Sequence, residues 1–126
     1  MKLVLSGSIE DNCPTVKATI NEDKNLVFNK KGGLALTIDT GFSAGIALPK
    51  TVLSKLNIRF VGYENYTLAD GKSIELEEYY GDVRVGNNKV EAVFIEGDYL
   101  IGMEFMTSIA DVMTVDFKKE KVALLK

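Results

Sequence analysis

The chain has 126 residues, 46% of them apolar, with 15 Lys and Arg against 18 Asp and Glu, giving a net charge of −3. This size fits a single domain, residues 1–126, with a core of its own, and the absence of a basic stripe argues against a nucleic acid partner. Histidine is absent and Cys13 is the only cysteine, which excludes Cys/His zinc sites and Ser/His or Cys/His catalysis.

Short apolar runs separated by turn residues predict a mostly β protein. In chain order the runs are KLVLSGSI, TVKATI, NLVF, LALTI, SIEL, VRV, VEAVFI, DVMTVDF and VALL. Loops are predicted at 21–25, 29–33, 69–72, 86–89, 96–98 and 118–121. Several of these loops have hairpin length, which favours antiparallel strands in a compact barrel or sandwich.

Two segments depart from the strand pattern. Residues 49–58 place Val52, Leu53 and Leu56 at near-helical spacing after Pro49. Residues 102–110 place Met103, Met106 and Ile109 three apart. Each segment predicts one or two turns of helix, with its apolar side chains packed in the core.

The opening run MKLVLSGS contains only three consecutive apolar residues, too few for the core of a secretion signal. No stretch approaches the roughly 18 to 20 apolar residues of a membrane span. The sequence therefore favours a soluble, cytoplasmic protein without a membrane partner.

The stretch LTIDTGFSAG, residues 36–45, places an acidic residue directly after an apolar run. A glycine-containing turn follows Asp39, so its carboxylate is expected at the mouth of the core. Burying a carboxylate is costly unless it is paired or used. Asp39 is therefore a candidate functional residue, and the alternative is an aspartate that caps backbone amides in a turn.

Three features, in order and spacing, resemble the retropepsin-like aspartic proteases, the half-size dimeric relatives of pepsin. The first is apolar-apolar-Asp-Thr-Gly with a serine two places on, here Asp39, Thr40, Gly41 and Ser43. The second is the polar tip LADGK, residues 68–72, where the family carries its flap. The third is Leu-Ile-Gly, residues 100–102, before a short helix, MEFM.

The resemblance covers roughly residues 34–125 and implies an all-β, retropepsin-like closed barrel, the half-size lobe of the acid protease fold, with one or two short helices. The cellular and prokaryotic branch is the better match. Viral members carry an aspartate at the position of Ser43 and an arginine at that of Met103, and both are absent here. In viral members these two residues pair with each other, so the loss of only one would leave a partly buried charge unpaired, and the absence of both here avoids that.

The resemblance implies an aspartic endopeptidase that acts on a peptide or protein substrate and uses no metal or other cofactor. Two carboxylates that share one proton activate a water and protonate the peptide carbonyl. The chain contains one Asp-Thr-Gly, so the second carboxylate must be Asp39 of another copy. A homodimer follows from that requirement.

The resemblance also implies roles for residues of the active-site loop. Thr40 would reach across the two-fold axis to the partner backbone, and Gly41 would allow close approach of backbone and substrate. Ser43 would hydrogen-bond near the outer oxygen of the Asp39 carboxylate. Phe42 replaces the usual alanine or serine and would narrow a substrate pocket.

Substrate would be held between Leu100, as a pocket wall, and a mobile lid. The lid residues are Leu68, Ala69, Asp70, Gly71 and Lys72. Asp70 at the tip would bias binding toward basic side chains; the alternative is that Asp70-Gly71 is simply a tight turn with positive φ at glycine.

Two other functional hypotheses remain open at this stage. The chain could be a non-catalytic dimeric domain that keeps the fold for peptide or protein binding. It could also stay monomeric until substrate arrives. The C-terminal VALLK could pair with the N-terminal strand of a partner or fold back on its own chain.

Overall fold

A computed structural model describes residues 1–126, and the all-β prediction is confirmed: ten strands and three short helices form the chain. The strands are β1 (Leu3–Glu10), β2 (Cys13–Ile20), β3 (Leu34–Ile38), β4 (Ile46–Leu48), β5 (Arg59–Thr67), β6 (Ser73–Val85), β7 (Asn88–Glu96), β8 (Leu100–Ile101), β9 (Val112–Asp116) and β10 (Lys121–Leu125). The helices are α1 (Val27–Lys30), α2 (Lys50–Leu53) and α3 (Met103–Ile109). None of these helices is long and apolar enough to cross a membrane.

Six strands form a closed ring of hydrogen-bonded neighbours, in the order β6-β7-β4-β8-β3-β2, with β2 returning to β6. The closing contact pairs Thr19 with Arg84 and Ile20 with Val83. Strand β5 extends the ring outward from β6, and β1, β10 and β9 extend it from β2. Strands β5 and β9 are therefore the two free edges.

The ring encloses the core because its strands alternate apolar and polar side chains. In β2, Val16, Ala18 and Ile20 are buried while Lys17 between them is exposed. This period of two is what a strand with one buried face requires. The largest fully buried side chains are Phe94, Ile20, Leu36, Ile46, Leu48, Ile101, Leu124, Val16, Val83, Val85 and Val122.

Phe94, on β7, has no exposed surface and is the largest of the fully buried side chains. Its replacement by alanine is expected to lower the free energy of unfolding by about 3–5 kcal/mol, because it removes apolar contacts and leaves a cavity. Urea denaturation would measure the loss. Phe117→Ala is the matched control, since that ring is 80% exposed and its loss should change stability little. Equal losses in the two variants would contradict the placement of the core.

The two predicted helical segments are confirmed as α2 and α3, but the prediction of a strand at NLVF is wrong. That run ends in helix α1, which follows a series of turns. The Asn29 amide donates to the carbonyls of Ile20 and Asp23, both at 2.9 Å, and its oxygen accepts from the Ile20 N–H at 3.2 Å. Phe28 packs against the core. These tertiary contacts outweigh the strand preference of Val27 and Phe28.

Two other results differ from the sequence prediction, and a third concerns the C-terminal segment, for which two arrangements were left open. SIEL and VRV belong to one strand, β6, which runs without a break for 13 residues. Strands β4, β5 and β8 were not predicted as separate runs. The VALLK segment folds back on its own chain, where β10 pairs antiparallel with both β1 and β9.

Candidate active site

The candidate site is built on the Asp39 loop, defined as residues 39–45, which follows buried strand β3. Asp39 is half-buried. Its carboxylate Oδ1 accepts a hydrogen bond from the Gly41 N–H at 2.9 Å, and its carbonyl accepts one from the Phe42 N–H at 3.1 Å. The loop therefore turns tightly around Asp39 and orients its carboxylate.

Four backbone hydrogen bonds attach the Asp39 loop to residues 101–104. The Asp39 N–H donates to the Ile101 carbonyl at 3.0 Å. Three carbonyls of the loop accept hydrogen bonds in return. The Gly102 N–H donates to the Gly45 carbonyl at 2.7 Å, and the Met103 N–H donates to the Phe42 carbonyl at 2.8 Å. The Glu104 N–H donates to the Ser43 carbonyl at 3.1 Å. The first turn of α3 thus holds the loop in place.

Gly102 permits this close approach. A Cβ at Gly102 would lie 2.7 Å from the carbonyl oxygen of Phe42 and 2.8 Å from Cδ2 of its ring, and closer still to the carbonyl oxygen of Ala44. Contacts that short do not occur in folded proteins, so a side chain at this position would displace the Asp39 loop. The glycine of the Leu-Ile-Gly element therefore has a packing role.

The sheet places Leu100 beside Asp39. Strand β8 lies between β3, with which it runs parallel, and β4, with which it is antiparallel. Leu100 is opposite Thr37 on one side and Ala47 on the other, and it is half-buried. Asp39 and Leu100 are thus brought together by adjacent strands, although they are distant in sequence.

The other loop side chains are accessible. Thr40 and Ser43 are exposed and Phe42 is half-buried. Neither hydroxyl makes a hydrogen bond within the chain, and the one polar contact of the Asp39 carboxylate comes from Gly41. Both ion pairs of the chain involve Glu22, so Asp39 has no cationic partner.

Strands β5 and β6 form the predicted hairpin, with its tip at residues 68–72. The Leu68 N–H donates to the Lys72 carbonyl at 2.7 Å. The Lys72 N–H donates to the Asp70 carboxylate at 2.9 Å. Gly71 has φ +86°, so the predicted tight turn with positive φ at glycine is confirmed. Ala69 is exposed. No hydrogen bond joins the tip to the Asp39 loop.

The hairpin stem contains a polar pair that the sequence analysis missed. The Tyr66 hydroxyl donates to the Glu78 carboxylate. Burial, and then this hydrogen bond, raise the pKa of Tyr66, so its phenol stays protonated and continues to donate. The charge of Glu104, in the first turn of α3, acts in the same direction. Counting strand partners outward from the Asp70-Gly71 turn would not have found this pair, because the register places Tyr66 opposite Ile74 and Glu78 opposite Gly62.

An apolar face adjoins Thr40. A cavity of about 130 Å³ lies there, between α3 and the C-terminal strands. Met103 and Val112 on this face are each 37% exposed. The cavity is lined by Thr40, Met103, Met106, Thr107, Ala110, Asp111, Val112, Met113 and Leu124.

No group of three or more His, Cys, Asp or Glu side chains is arranged to hold a metal ion. A comparison with protein-family models finds no match for this chain, and a comparison with curated proteins finds none either. Its function is therefore argued from its own residues.

Proposed function

We propose that the chain is a retropepsin-like aspartic endopeptidase that acts as a homodimer, with Asp39 of each copy forming the catalytic pair. The observation that carries the proposal is the attachment of the Asp39 loop to residues 101–104 around Gly102. A turn-capping aspartate needs only the bond from Gly41. Four further backbone bonds fix this loop at the edge of the core, as positioning a catalytic carboxylate requires.

The chemistry needs both Asp39 carboxylates with one proton between them. The ionised carboxylate removes a proton from a water, whose oxygen attacks the peptide carbonyl carbon. The protonated carboxyl donates its proton to the carbonyl oxygen. The tetrahedral intermediate then collapses as the C–N bond breaks. The leaving amine takes the proton that the first carboxylate removed from the water, and a hydroxyl of the intermediate returns a proton to the second carboxylate. No covalent enzyme intermediate forms.

Dimerisation would use the apolar face beside Thr40. Exposed apolar side chains such as Met103 and Val112 are stabilised when a second surface covers them. The two-fold axis of a homodimer brings the same patch of each copy together. A dimer formed on this face would place the two Asp39 loops next to each other.

The substrate would be an extended peptide held between the Asp39 loop and the hairpin tip, residues 68–72. Main-chain hydrogen bonds would bind it, and side-chain pockets would select it. Half-buried Phe42 and Leu100 provide apolar walls. Apolar residues on either side of the scissile bond are therefore the expected preference.

Cleavage of a mixed peptide library between about pH 4 and 7 tests the proposal, because two carboxylates sharing a proton work best on the acid side of neutrality. We expect cleavage to be blocked by a peptide that has a tetrahedral hydroxyl-bearing carbon in place of the scissile carbonyl. Specific activity should rise with protein concentration until dimers dominate. Absence of cleavage from a protein shown to be dimeric would overturn the proposal.

A non-catalytic dimeric domain that binds peptides or proteins is the second candidate. The observation that favours it is the Gly41 N–H bond to Asp39, which is also the contact of a structural turn aspartate. In that case Asp39→Asn would leave peptide binding unchanged and no peptide would be cut. A protein that is monomeric alone and dimeric with peptide would support dimerisation on substrate.

A further inference from the structure

A groove separate from the candidate active site lies between α2 and the β5–β6 hairpin. Its volume is about 420 Å³. None of the residues of the Asp39 loop or the hairpin tip lines it, and neither does Leu100. Its apolar lining consists of Leu53, Leu56, Ile58, Tyr63, Leu76 and Tyr79.

The rim of this groove is acidic. Glu75, Glu77 and Glu96 line it together with a single cation, Lys50. The two ion pairs of the chain both involve Glu22, so none of the three rim glutamates is in a salt bridge. The Tyr79 hydroxyl donates to the Glu77 carboxylate, and this hydrogen bond raises the pKa of Tyr79. This bond holds the Glu77 carboxylate at the groove wall, where no lysine or arginine forms a salt bridge with it.

Aromatic side chains extend the groove toward the solvent. Tyr63 is 61% exposed and Phe60 is 49% exposed. The Phe60 ring contacts Tyr63 edge-to-face with centroids 5.4 Å apart and Tyr79 with centroids 5.8 Å apart. Such rings present a rigid apolar surface, and aromatic residues of this kind are enriched where proteins bind partners.

Strand β5, which carries Phe60 and Tyr63, is a free edge of the sheet. Its outward backbone N–H and carbonyl groups are available to pair with an additional strand. An extended segment added there would place alternate side chains on the face that carries Tyr63 and the groove.

We propose that this groove is a docking site for an extended segment of a partner protein in which every second side chain faces the groove, and in which these groove-facing side chains include both lysine or arginine and large apolar residues. Its cations would meet Glu75, Glu77 and Glu96, and its apolar side chains would cover Tyr63 and the aliphatic floor. The complementarity of charge selects this occupant, since three carboxylates face one ammonium group. The proposal does not depend on the chemistry of Asp39.

The probe is a fluorescent peptide, acetyl-KSFSKSL-amide, whose first, third, fifth and seventh side chains share one face; it is titrated against the Asp39→Asn protein so that hydrolysis cannot interfere. Two matched peptides, ESFSESL and KSSSKSS, separate the contributions of charge and apolar contact. We expect both to bind at least about 10-fold more weakly, because each removes one of the two attractions. Equal binding of the acidic peptide would overturn the proposal.

The double substitution Glu75→Gln/Glu77→Gln is expected to weaken binding of the KSFSKSL peptide about 10-fold and to reduce its dependence on salt. Asp82→Asn/Glu91→Gln is the matched control. It removes two carboxylates that face each other on β6 and β7, outside the groove, and should leave the affinity unchanged. Tyr63→Ser, at a 61% exposed position, should also weaken binding without affecting the fold.

NMR shifts of the backbone amides locate the bound peptide. Shifts confined to residues 50–58, 60–63, 75–79 and 96 would support the proposal. Shifts centred on residues 39–45 and 100 would overturn it, because the peptide would then occupy the candidate active site. Self-association that the Glu75→Gln/Glu77→Gln variant abolishes would also overturn it, in favour of a second copy in the groove.

Discussion

Replacing Asp39 with asparagine is expected to reduce kcat/KM for peptide hydrolysis by about 1,000-fold or more, because the amide can neither share the proton nor activate the water. Asparagine nearly preserves the shape of the side chain, and Asp39 is only half-buried, so the fold should be retained. Cleavage of a single peptide chosen from the library measures the loss. Circular dichroism and the oligomeric state show whether the variant is intact.

Mixing native and Asp39→Asn chains tests whether the site is shared between copies. If each active site needs one carboxylate from each chain, equal mixing with free exchange leaves about a quarter of the dimers fully native. Activity per total chain should fall to that fraction and not to half. Asp82→Asn, the same chemical change at an exposed position on β6, should not lower activity on mixing. Full activity of Asp39→Asn alone would exclude the proposed mechanism.

Gly102→Ala is expected to lower the free energy of unfolding by about 3 kcal/mol or more, because the new methyl group overlaps backbone oxygens that cannot rotate away. Relieving the overlap means moving the Asp39 loop away from α3 and losing hydrogen bonds of 2.7 to 3.1 Å. Urea denaturation measures the loss, and hydrogen exchange at Met103 and Glu104 reports whether the loop has detached.

Gly97→Ala is the matched control for that substitution. A Cβ at Gly97 would lie 3.0 Å from the Cβ of Ala47 and would meet no other atom within 4 Å, so a shift of a few tenths of an ångström relieves the contact. The expected loss of stability is below about 1 kcal/mol. If Gly102→Ala proved as mild as Gly97→Ala, the close packing of the Asp39 loop on α3 would be wrong.

The sequence predicted the strands best where one face is buried over several residues. Strands β2, β3 and β7 have clear apolar runs bounded by turn residues, and all three are present. The failures have physical causes. Helix α1 depends on the Asn29 contacts with Ile20 and Asp23, which no local pattern reveals. Strands β4 and β8 span three and two residues, too short to show a period.

Strand β6 shows a different limit of sequence analysis. Its two apolar parts were predicted as separate strands because EEYYGD lies between them. In the structure this middle part pairs with β5 on one side and β7 on the other, so it stays extended although few of its side chains are buried. Pairing with neighbours, which a single sequence does not display, decides its conformation.

The candidate site was predictable in its local parts and not in its assembly. The position of Asp39 after a buried strand and the turn at Gly71 followed from residue types alone. The contact between the Asp39 loop and Gly102 was not predicted, because it depends on β8 lying between β3 and β4. The groove beside α2 was not foreseen, because its walls come from three segments that are distant in sequence.

The attachment of the Asp39 loop to residues 101–104 has a consequence for synthesis on the ribosome. The segment that carries Asp39 emerges before residues 101–104, which hold it in place. Contacts between distant parts of a chain form late in folding. A nascent chain therefore carries Asp39 without the arrangement around it, and completion of the fold is the event that creates the site.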